Sequence, residues 1–327
     1  MKRDKIMKKK VLLITALSGV LLSGCKFNIF EKITSLFKKT NTINEKIVVP
    51  TGAPAIAMAA FAMTENFETV TDPSTIVPMM ASGQVDVAVL PTNVGATAIT
   101  AKQLPFKILC TITFGNFYIA STGHDDDGVM DKDDYIVSFQ KGAVPDKIFH
   151  YVHGDDFDNA LHYVSGAAEA AKCLKAGKNM ADDNKEVDYV LLAEPAMTNV
   201  LKTTPTGSVY EDLQSKYKEK SNGLILPQAS VFVNSNLEQE KVMEGIYEAL
   251  NKSVNEMIAD TQVMTTFMKT KSDPEAVFGV KPEIAAEVTQ NGNKMGLGCK
   301  LASTIKDDIN NFLKIFGVSE LKNENIA

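Results

Sequence analysis

Cysteine is scarce in this sequence, with four residues among 327, and the four are widely spaced without a C-x-x-C pair. This spacing argues against a disulfide scaffold and against a zinc site. Cys110 lies in an apolar stretch and Cys173 in an Ala-rich one, which favours buried free thiols. A single bridge among Cys110, Cys173 and Cys299 stays open as an alternative.

Histidine is equally scarce, again with four residues. His150, His153 and His162 lie among aspartates and form the one constellation that resembles a metal site. They fall on a predicted helix end, a loop and a strand, so we expect them not to converge on an ion. The chain also lacks G-x-S-x-G and a Walker glycine loop, which leaves little material for a Ser-His-Asp triad or a phosphate loop. We expect no metal, no cofactor and no catalytic residue.

Arginine occurs once, as Arg3 near the N-terminus, and tryptophan is absent. A guanidinium that holds an anion through two parallel hydrogen bonds is therefore excluded from the rest of the chain. Any anionic ligand has to be held by helix amides, hydroxyl groups or lysine. The net charge of −6 argues against binding to nucleic acid or to an anionic membrane surface.

The first 25 residues have the pattern of an export signal. Lys8, Lys9 and Lys10 precede an apolar run over 11–22, which is shorter than the roughly 20 residues that span a bilayer. The run ends in Leu-Ser-Gly-Cys, which resembles the bacterial lipobox, and this resemblance implies that Cys25 is lipidated and becomes the mature N-terminus. An ordinary secretory signal and an uncleaved anchor are the alternatives. All three place the remaining chain outside the cytoplasm.

Short apolar strands alternate with helices from residue 47 onward, which predicts parallel sheets with crossover helices. The predicted strands cover 47–49, 85–90, 135–139, 160–164, 187–192 and 227–233, and the predicted helices cover 54–63, 74–82, 145–152, 167–176, 243–257 and 301–316. In such sheets a ligand binds beyond the carboxyl ends of the strands, where loops meet helix N-termini. We expect Thr51 and the Thr92-Asn93 pair to cap two such helices and to leave backbone amides for a polar acceptor. Plain helix caps without a ligand are the alternative.

Two segments of the chain look alike. Gly83–Pro91 and Glu186–Pro195 each have an acidic residue near the start of a predicted strand and a proline at its end that opens a helix. The later strands and helices repeat the order of the earlier ones, which predicts two similar α/β lobes with a cleft between them. The acidic tract over 122–134 marks the passage into the second lobe, and the strand at 227–233 returns the chain to the first.

In this order the segments resemble the solute-binding proteins of bacterial ABC importers, in the group for nitrate, sulfonate, taurine and thiamine-precursor uptake. The resemblance covers most of the mature chain. It rests on the lipobox, on Pro-Thr-Gly-Ala-Pro-Ala after the first strand, and on Gly-x-x-Asp-x-x-x-Leu-Pro over 83–91. Further support comes from Gly-Ala-Val-Pro-Asp before a helix at 142–146, from 187–195, and from Pro-Gln-Ala at 227–229.

The resemblance implies an α/β fold of the two-lobed type II periplasmic-binding-protein kind, in which each lobe is a sheet flanked by helices and two crossover strands join the lobes. We expect a signal peptide at 1–24, a lipidated Cys and tether at 25–45, the first lobe at 46–120 and 226–327, and the second lobe at 121–225. The resemblance also implies a membrane-anchored, extracytoplasmic monomer that binds no nucleic acid. It would capture a small molecule and deliver it to an ABC permease with its ATPase subunits.

Carried over by position, the ligand-binding residues fall on both walls of the cleft and near the crossovers. The expected set is Thr51, Gly52, Ala53, Thr92 and Asn93 in the first lobe, Phe114, Asn116 and Gln228 near the crossovers, and Gly142, Ala143, Val144, Ser165 and Glu194 in the second lobe. The lack of arginine favours a neutral or cationic heterocycle, and Glu194 is a candidate partner for a ring nitrogen or an amine. An enzyme on the same scaffold, lyase-like or thiaminase-like with Glu194 or Cys173 as its candidate group, and a ligand-sensing lipoprotein are the alternative functions.

Overall fold

The structure is a computed structural model that describes residues 31–36, 38, 40, 43–125, 127–237 and 240–327. The predicted signal peptide at 1–24 and the predicted lipidation site Cys25 lie outside the described residues. None of the helices within the described ranges is long and apolar enough to cross a membrane.

Part of the predicted tether is a helix that packs on the first lobe. Residues 31–36 are helical, and Ile33 and Leu36 are buried in the same core as the first sheet. Lys32 Nζ lies 3.2 Å from Glu256 Oε2. Within the tether predicted at 25–45, these residues therefore form a helix, in which Ile33 and Leu36 are three positions apart on one apolar face.

The strands in chain order are β1 (Ile47–Pro50), β2 (Phe67–Val70), β3 (Val87–Pro91), β4 (Phe106–Thr113), β5 (Phe117–Ser121), β6 (Ile136–Phe139), β7 (Leu161–Val164), β8 (Lys178–Asn179), β9 (Lys185–Glu186), β10 (Tyr189–Ala193), β11 (Ser208–Asp212), β12 (Ala229–Asn234) and β13 (Leu297–Leu301). The first lobe is built on a six-stranded sheet with the order β13-β4-β12-β3-β1-β2. In it, β1 runs parallel to β2 and β3, whereas β12 runs antiparallel between β3 and β4.

The second lobe is built on a five-stranded sheet with the order β11-β5-β10-β6-β7. Its strands β10, β6 and β7 are parallel, and β5 runs antiparallel to both β10 and β11. β8 and β9 form a separate two-stranded hairpin. In each sheet, the strand next to the parallel strands is the first one after the chain crosses from the other lobe. This strand is β5 in the second lobe and β12 in the first.

The helices are α1 (Ala53–Ala57), α2 (Ile76–Ala81), α3 (Thr92–Thr100), α4 (Val144–His153), α5 (Ala167–Ala176), α6 (Ala196–Leu201), α7 (Leu213–Lys220), α8 (Glu240–Ala259), α9 (Thr261–Met268), α10 (Pro274–Phe278), α11 (Pro282–Gln290) and α12 (Lys306–Ile315). The central strands of the sheets are apolar on both faces because helices cover both faces of the sheet. In β3, Val87 and Val89 belong to one buried cluster, and Ala88 and Leu90 to another. This two-residue period places side chains on opposite faces of the sheet.

The chain crosses from the first sheet to the second between Thr113 and Phe117. β5 therefore belongs to the second lobe, and the predicted boundary that left 117–120 in the first lobe was wrong. The acidic tract over 122–134 follows the first strand of the second lobe instead of leading into it. The crossing lies at Gly115, between Phe114 and Asn116, which the resemblance placed near the crossovers, and its φ of 96° favours glycine.

β13 is a strand that the sequence did not predict, and its end overlaps the start of the helix predicted over 301–316. It pairs antiparallel with β4 at the edge of the first sheet, and α12 begins only at Lys306. Gly296 and Gly298 weaken the strand signal here, because glycine is depleted in strands and contributes no side chain to a pattern.

Candidate functional site

The two crossings between the lobes are tied together by side-chain amides. Asn116, in the first crossing, is buried, and its Nδ2 donates to the Glu194 carbonyl at 2.7 Å while the Glu194 amide donates to the Asn116 carbonyl at 2.8 Å. Gln228, in the return crossing, donates through Nε2 to Asn116 Oδ1 at 2.7 Å. These three residues, predicted from separate parts of the sequence, form one hydrogen-bond chain that we call the hinge network.

Three buried oxygen atoms at or beside the hinge network have no protein partner among the described residues. They are Gln228 Oε1, Asn93 Oδ1 and Thr113 Oγ1. Backbone bonds hold these residues together, since the Gln228 amide donates to the Thr113 carbonyl at 3.0 Å and its carbonyl accepts from the Thr92 amide at 2.9 Å. Buried oxygen atoms are normally paired with protein groups, water or a ligand. These three oxygen atoms are therefore the candidate contacts for a water molecule or a small polar ligand.

Thr92 is fully buried, and its hydroxyl is used inside the first lobe. It lies 2.7 Å from Ser230 Oγ, which in turn lies 2.8 Å from Thr111 Oγ1, so the three hydroxyls link the start of α3 with β12 and β4. α3 begins after Pro91 without a side-chain cap. The expected capping by the Thr92-Asn93 pair was wrong, because Thr92 is already the first helical residue and its hydroxyl is taken by a neighbouring strand.

The loop after β1 also uses its polar groups internally. Gly52, rather than Thr51, is the N-cap of α1, and its amide donates to the Phe278 carbonyl at 3.1 Å. The expected cap by Thr51 was therefore wrong, and this helix end offers a ligand one amide fewer than the sequence suggested. Space beyond Gly52 is open, since a methyl group built there meets no heavy atom within 4 Å. Ala53 is buried.

The N-terminus of α4 carries its own buried carboxylate. Asp146 accepts from the Gly142 amide at 2.7 Å and from the Tyr163 hydroxyl at 2.5 Å. Burial raises the pKa of Tyr163, and its hydrogen bond to Asp146 raises it further. Ala143 is the N-cap and Val144 the first residue of the helix. An anionic ligand would meet a carboxylate here, so this helix end is poorly suited to bind one.

Ser165 lies two strands away from β10, at the open edge of the second sheet. Its hydroxyl donates to Glu169 at 2.5 Å, and this bond lowers the pKa of the Glu169 carboxyl. Ser165 lines a cavity of about 460 Å³ along β7 together with Tyr135 and His162, whose rings stack with centroids 3.6 Å apart. The expected grouping of Ser165 with the other ligand residues is therefore not what its contacts show.

The Glu194 carboxylate is buried and occupied. Its two oxygens accept from the Thr198 amide at 3.0 Å and from the Thr198 hydroxyl at 2.7 Å, which caps the start of α6. The peptide bond before Pro195 is cis. Burial raises the pKa of Tyr118, and the charges of Asp212 and Glu194 raise it further. Of the two roles that the sequence left open for Glu194, these contacts favour the structural one.

The ring of Phe114 packs on β13, which sequence reasoning missed. The Phe114 amide donates to the Gly296 carbonyl at 2.7 Å, and a Cβ added to Gly298 would lie 2.8 Å from the ring. The Lys300 ammonium lies 5.6 Å from the ring centroid, within cation-π range. The Gly-x-Gly spacing at 296–298 was the available signal, since glycine in a strand often marks a close approach of another chain segment.

Two further polar contacts reach from one lobe to the other. The Tyr118 hydroxyl of β5 donates to the Lys294 carbonyl at 3.3 Å. The Lys202 ammonium, at the end of α6, contacts the Glu287 carboxylate on α11. Both contacts reach from the second lobe to the segment that covers the first.

The candidate catalytic and metal-binding groups do not converge. Cys173 is buried, and burial raises the pKa of its thiol, which disfavours a thiolate nucleophile. His150 lies 3.2 Å from Asp146, and His153 lies 2.8 Å from Glu211. Within the described ranges, no group of three or more His, Cys, Asp and Glu side chains is placed to hold a metal ion. The cysteines at 110, 173 and 299 are free thiols.

No protein-family profile and no curated protein sequence matches this chain. Solved structures do match its fold. An ABC transporter from Parabacteroides distasonis has a TM-score of 0.68 at 19% identity, over 86% of this chain and 98% of that chain. The periplasmic aliphatic sulphonate binding protein SsuA from Escherichia coli has a TM-score of 0.61 at 10% identity, over 86% and 92%. The ligand binding component of an ABC-type import system from Staphylococcus aureus, with zinc bound, has a TM-score of 0.59 at 11% identity, over 86% and 96%. The predicted α/β, two-lobed type II periplasmic-binding-protein fold is thereby confirmed.

Proposed function

We propose that this protein is the extracytoplasmic solute-binding component of an ABC importer, which captures a small polar or heterocyclic molecule between its lobes and delivers it to a permease. The observation that carries the proposal is the unpartnered Gln228 Oε1 of the hinge network, buried between the two lobes of a binding-protein fold. The solved structures whose names describe ABC transport components support it, because they share this fold.

Capture proceeds by closure of the lobes around the solute. A solute held at Asn93 and Gln228 in the first lobe is buried when the second lobe bends toward it. The contact between Lys202 and Glu287, which the structure already contains, is the proposed rim contact between the lobes. An exposed ion pair contributes only about 0–1 kcal/mol, so contacts to the solute decide how much of the protein is closed.

The ligand-facing residues are a subset of those expected from the sequence. Asn93, Gln228 and Phe114 are the proposed direct contacts, with the open space at Gly52 and the turn at Gly142 as the facing walls. Residues whose polar groups are fully engaged within the protein act as positioning groups. These are Thr92, Asn116 and Glu194.

The importer role also requires attachment near a permease. We propose that Cys25 carries the lipid anchor, that the chain acts as a monomer, and that its protein partners are an ABC permease and its ATPase subunits. The sequence Leu-Ser-Gly-Cys supports the anchor. Intact mass of the protein from a membrane fraction should show diacyl modification at Cys25, and Cys25→Ser should release an unmodified chain.

An enzyme on the same scaffold was the main alternative. Its two candidate groups give it no support, because the Glu194 carboxylate caps α6 and the Cys173 thiol is buried with a raised pKa. A sensor would use the same cleft, and a gene for a membrane kinase rather than a permease beside this one would favour it.

A thermal-shift screen tests the proposal. The full chain, purified in detergent, is heated with sulfonates, nitrate, thiamine precursors, purines, flavins and amino acids. A ligand at 100 times its Kd should add about 2.7 kcal/mol to the free energy of unfolding. We expect one compound class to stabilise the protein, with the effect reduced in Gln228→Met and retained in the exposed control Gln84→Met. Turnover of a compound, detected by mass spectrometry without any stabilisation, would instead favour an enzyme.

A further inference from the structure

The free oxygen of Gln228 is an acceptor because a backbone carbonyl fixes the direction of the amide chain. The Glu194 carbonyl can only accept, so the Asn116 atom that meets it at 2.7 Å is Nδ2. Asn116 Oδ1 then points to Gln228 and can also only accept, so the Gln228 atom at 2.7 Å is Nε2. The remaining Gln228 atom is Oε1, which is buried without a described protein partner. Whatever pairs with it has to donate a hydrogen bond.

The neighbouring groups extend this acceptor surface. Asn93 carries a second buried amide oxygen without a protein partner in the described chain, and it follows Thr92, whose amide is bonded to the Gln228 carbonyl. Thr113, bonded to Gln228 on the other side, adds a hydroxyl that can donate or accept. Two carbonyl-type acceptors and one hydroxyl therefore belong to residues that backbone bonds connect to the return crossing, either directly or through the adjacent Thr92.

The walls of the cleft carry carboxylates and amides that are already engaged. Asp146 is buried at the start of α4 and takes the Gly142 amide, while Glu194 is buried at the end of β10. The Gly52 amide is used by a backbone carbonyl. With Arg3 as the only arginine of the chain, the groups that would neutralise an anion are largely committed elsewhere.

Lys300 is a cation near the first crossing that could attract an anionic ligand. Its ammonium lies over the ring of Phe114 beside the first crossing. The side chain is exposed, however, and an exposed charge stays hydrated and is screened by salt. A test of the ligand class therefore has to include this lysine.

We propose that the cleft selects a solute that donates hydrogen bonds, a neutral or cationic compound with an amine, amide or ring N–H group, and rejects anions that lack such a donor. The inference rests on the proposed solute-binding function and adds the ligand class. Selection follows because an anion at Gln228 Oε1 would place acceptor against acceptor, whereas an N–H group pairs with it. A site built to hydrogen-bond a donor discriminates strongly against an analogue without one.

Isothermal titration of the full chain in detergent tests the inference with defined probes. The donors are 4-aminopyrimidine, adenine and ethylammonium, with 4-methylpyrimidine as the matched compound without a donor, and the anions are ethanesulfonate and nitrate. We expect at least one donor to bind and the anions not to bind. The donor should bind about tenfold more weakly to Gln228→Met and within about twofold of the parent value to Gln84→Met and Lys300→Met. Asn93→Leu provides the same test should Gln228→Met fail to fold.

Each other outcome points to a different error. Saturable binding of ethanesulfonate or nitrate that disappears in Lys300→Met overturns the ligand class and leaves the solute-binding function intact. Donor binding that is unchanged in both Gln228→Met and Asn93→Leu overturns the location of the site. No binding by either class, to protein whose circular dichroism matches the folded α/β chain, contradicts the proposed function itself.

Discussion

The chain segments after β3 and after β10 look alike in sequence but differ in the structure. Both strands are internal to their sheets, and each segment has a proline that leads into a helix. After β3, Asn93 Oδ1 is buried without a described protein partner. After β10, both carboxylate oxygens of Glu194 accept from Thr198. In the first lobe the Asn93 oxygen is available to a ligand, whereas in the second lobe the Glu194 oxygens already accept hydrogen bonds from the protein.

This difference assigns unequal roles to two similar lobes. We expect the first lobe, with Asn93 and the return crossing at Gln228, to hold the solute in the open state, and the second lobe to enclose it. The buried hydroxyl chain from Thr92 through Ser230 to Thr111 supports this view, because it fixes the strands under the binding residues. Substitutions can test this difference between the lobes, and the first concerns Asn116, which joins them.

Replacing Asn116 should have the largest effect, because it serves both lobes. Asn116→Leu leaves the Glu194 carbonyl and Gln228 Nε2 buried without their partner. We expect the free energy of unfolding to fall by about 2–6 kcal/mol, from about 1–3 kcal/mol for each of the two buried groups left unpaired. Urea unfolding followed by circular dichroism measures this change, with exposed Asn199→Leu on α6 as the control. A loss below about 0.5 kcal/mol would show that the hinge network does not join the lobes.

Replacing Glu194 should affect stability more than binding. Glu194→Ala removes both hydrogen bonds to Thr198 at the start of α6, so we expect a loss of about 1–2 kcal/mol, the range for lost helix caps. Solute affinity should stay within about twofold, since the carboxylate is already occupied. Thr198→Val, which removes the hydroxyl and keeps the amide, should lose about half as much stability. An affinity loss larger than the stability loss would make Glu194 a ligand partner.

Replacing Asn93 should produce the opposite pattern. Asn93→Leu removes an amide whose oxygen has no described protein partner, so stability should stay within about 0.5 kcal/mol of the parent protein. Affinity for the solute should fall about five- to tenfold, which corresponds to about 1–1.4 kcal/mol. Titration of Asn93→Leu and Glu194→Ala side by side separates the two lobes. Equal affinity losses in both variants would remove the proposed asymmetry.

Most internal strands of the fold could be predicted from the sequence, and of the four strands at the edges of the two large sheets only β7 could. β1, β3, β6, β7 and β10 follow the predicted strands because parallel strands are short apolar runs between helices. β2, β11 and β13 lie at sheet edges, where burial on one side gives a weaker pattern. The internal strands β4 and β5 were missed as well, since they lie in one largely apolar stretch that only the short turn at Gly115 and Asn116 divides.

The sequence could predict which residues lie near the cleft, but not which of their polar atoms lack a hydrogen-bond partner within the protein. The resemblance placed Asn116, Glu194 and Gln228 near the cleft, and the structure joins them. Which atom remains free depends on bonds between residues 78 and 112 positions apart in the chain. Local sequence patterns contain no information on such bonds, which is also why the expected caps at Thr51 and Thr92 were wrong.

The smallest effect is expected at the rim, where Lys202 contacts Glu287 across the lobes. Their side chains are 41% and 39% exposed, so Lys202→Met should change the free energy of unfolding by less than about 1 kcal/mol. Solute affinity should fall by less than about twofold at physiological salt and somewhat more at low salt, since screening weakens the pair. Lys216→Met is the matched control, because its partner Glu219 lies in the same lobe and the pair does not report closure. An affinity loss in Lys202→Met that exceeds the loss in Asn93→Leu would mean that rim contacts, rather than the acceptors of the first lobe, decide binding.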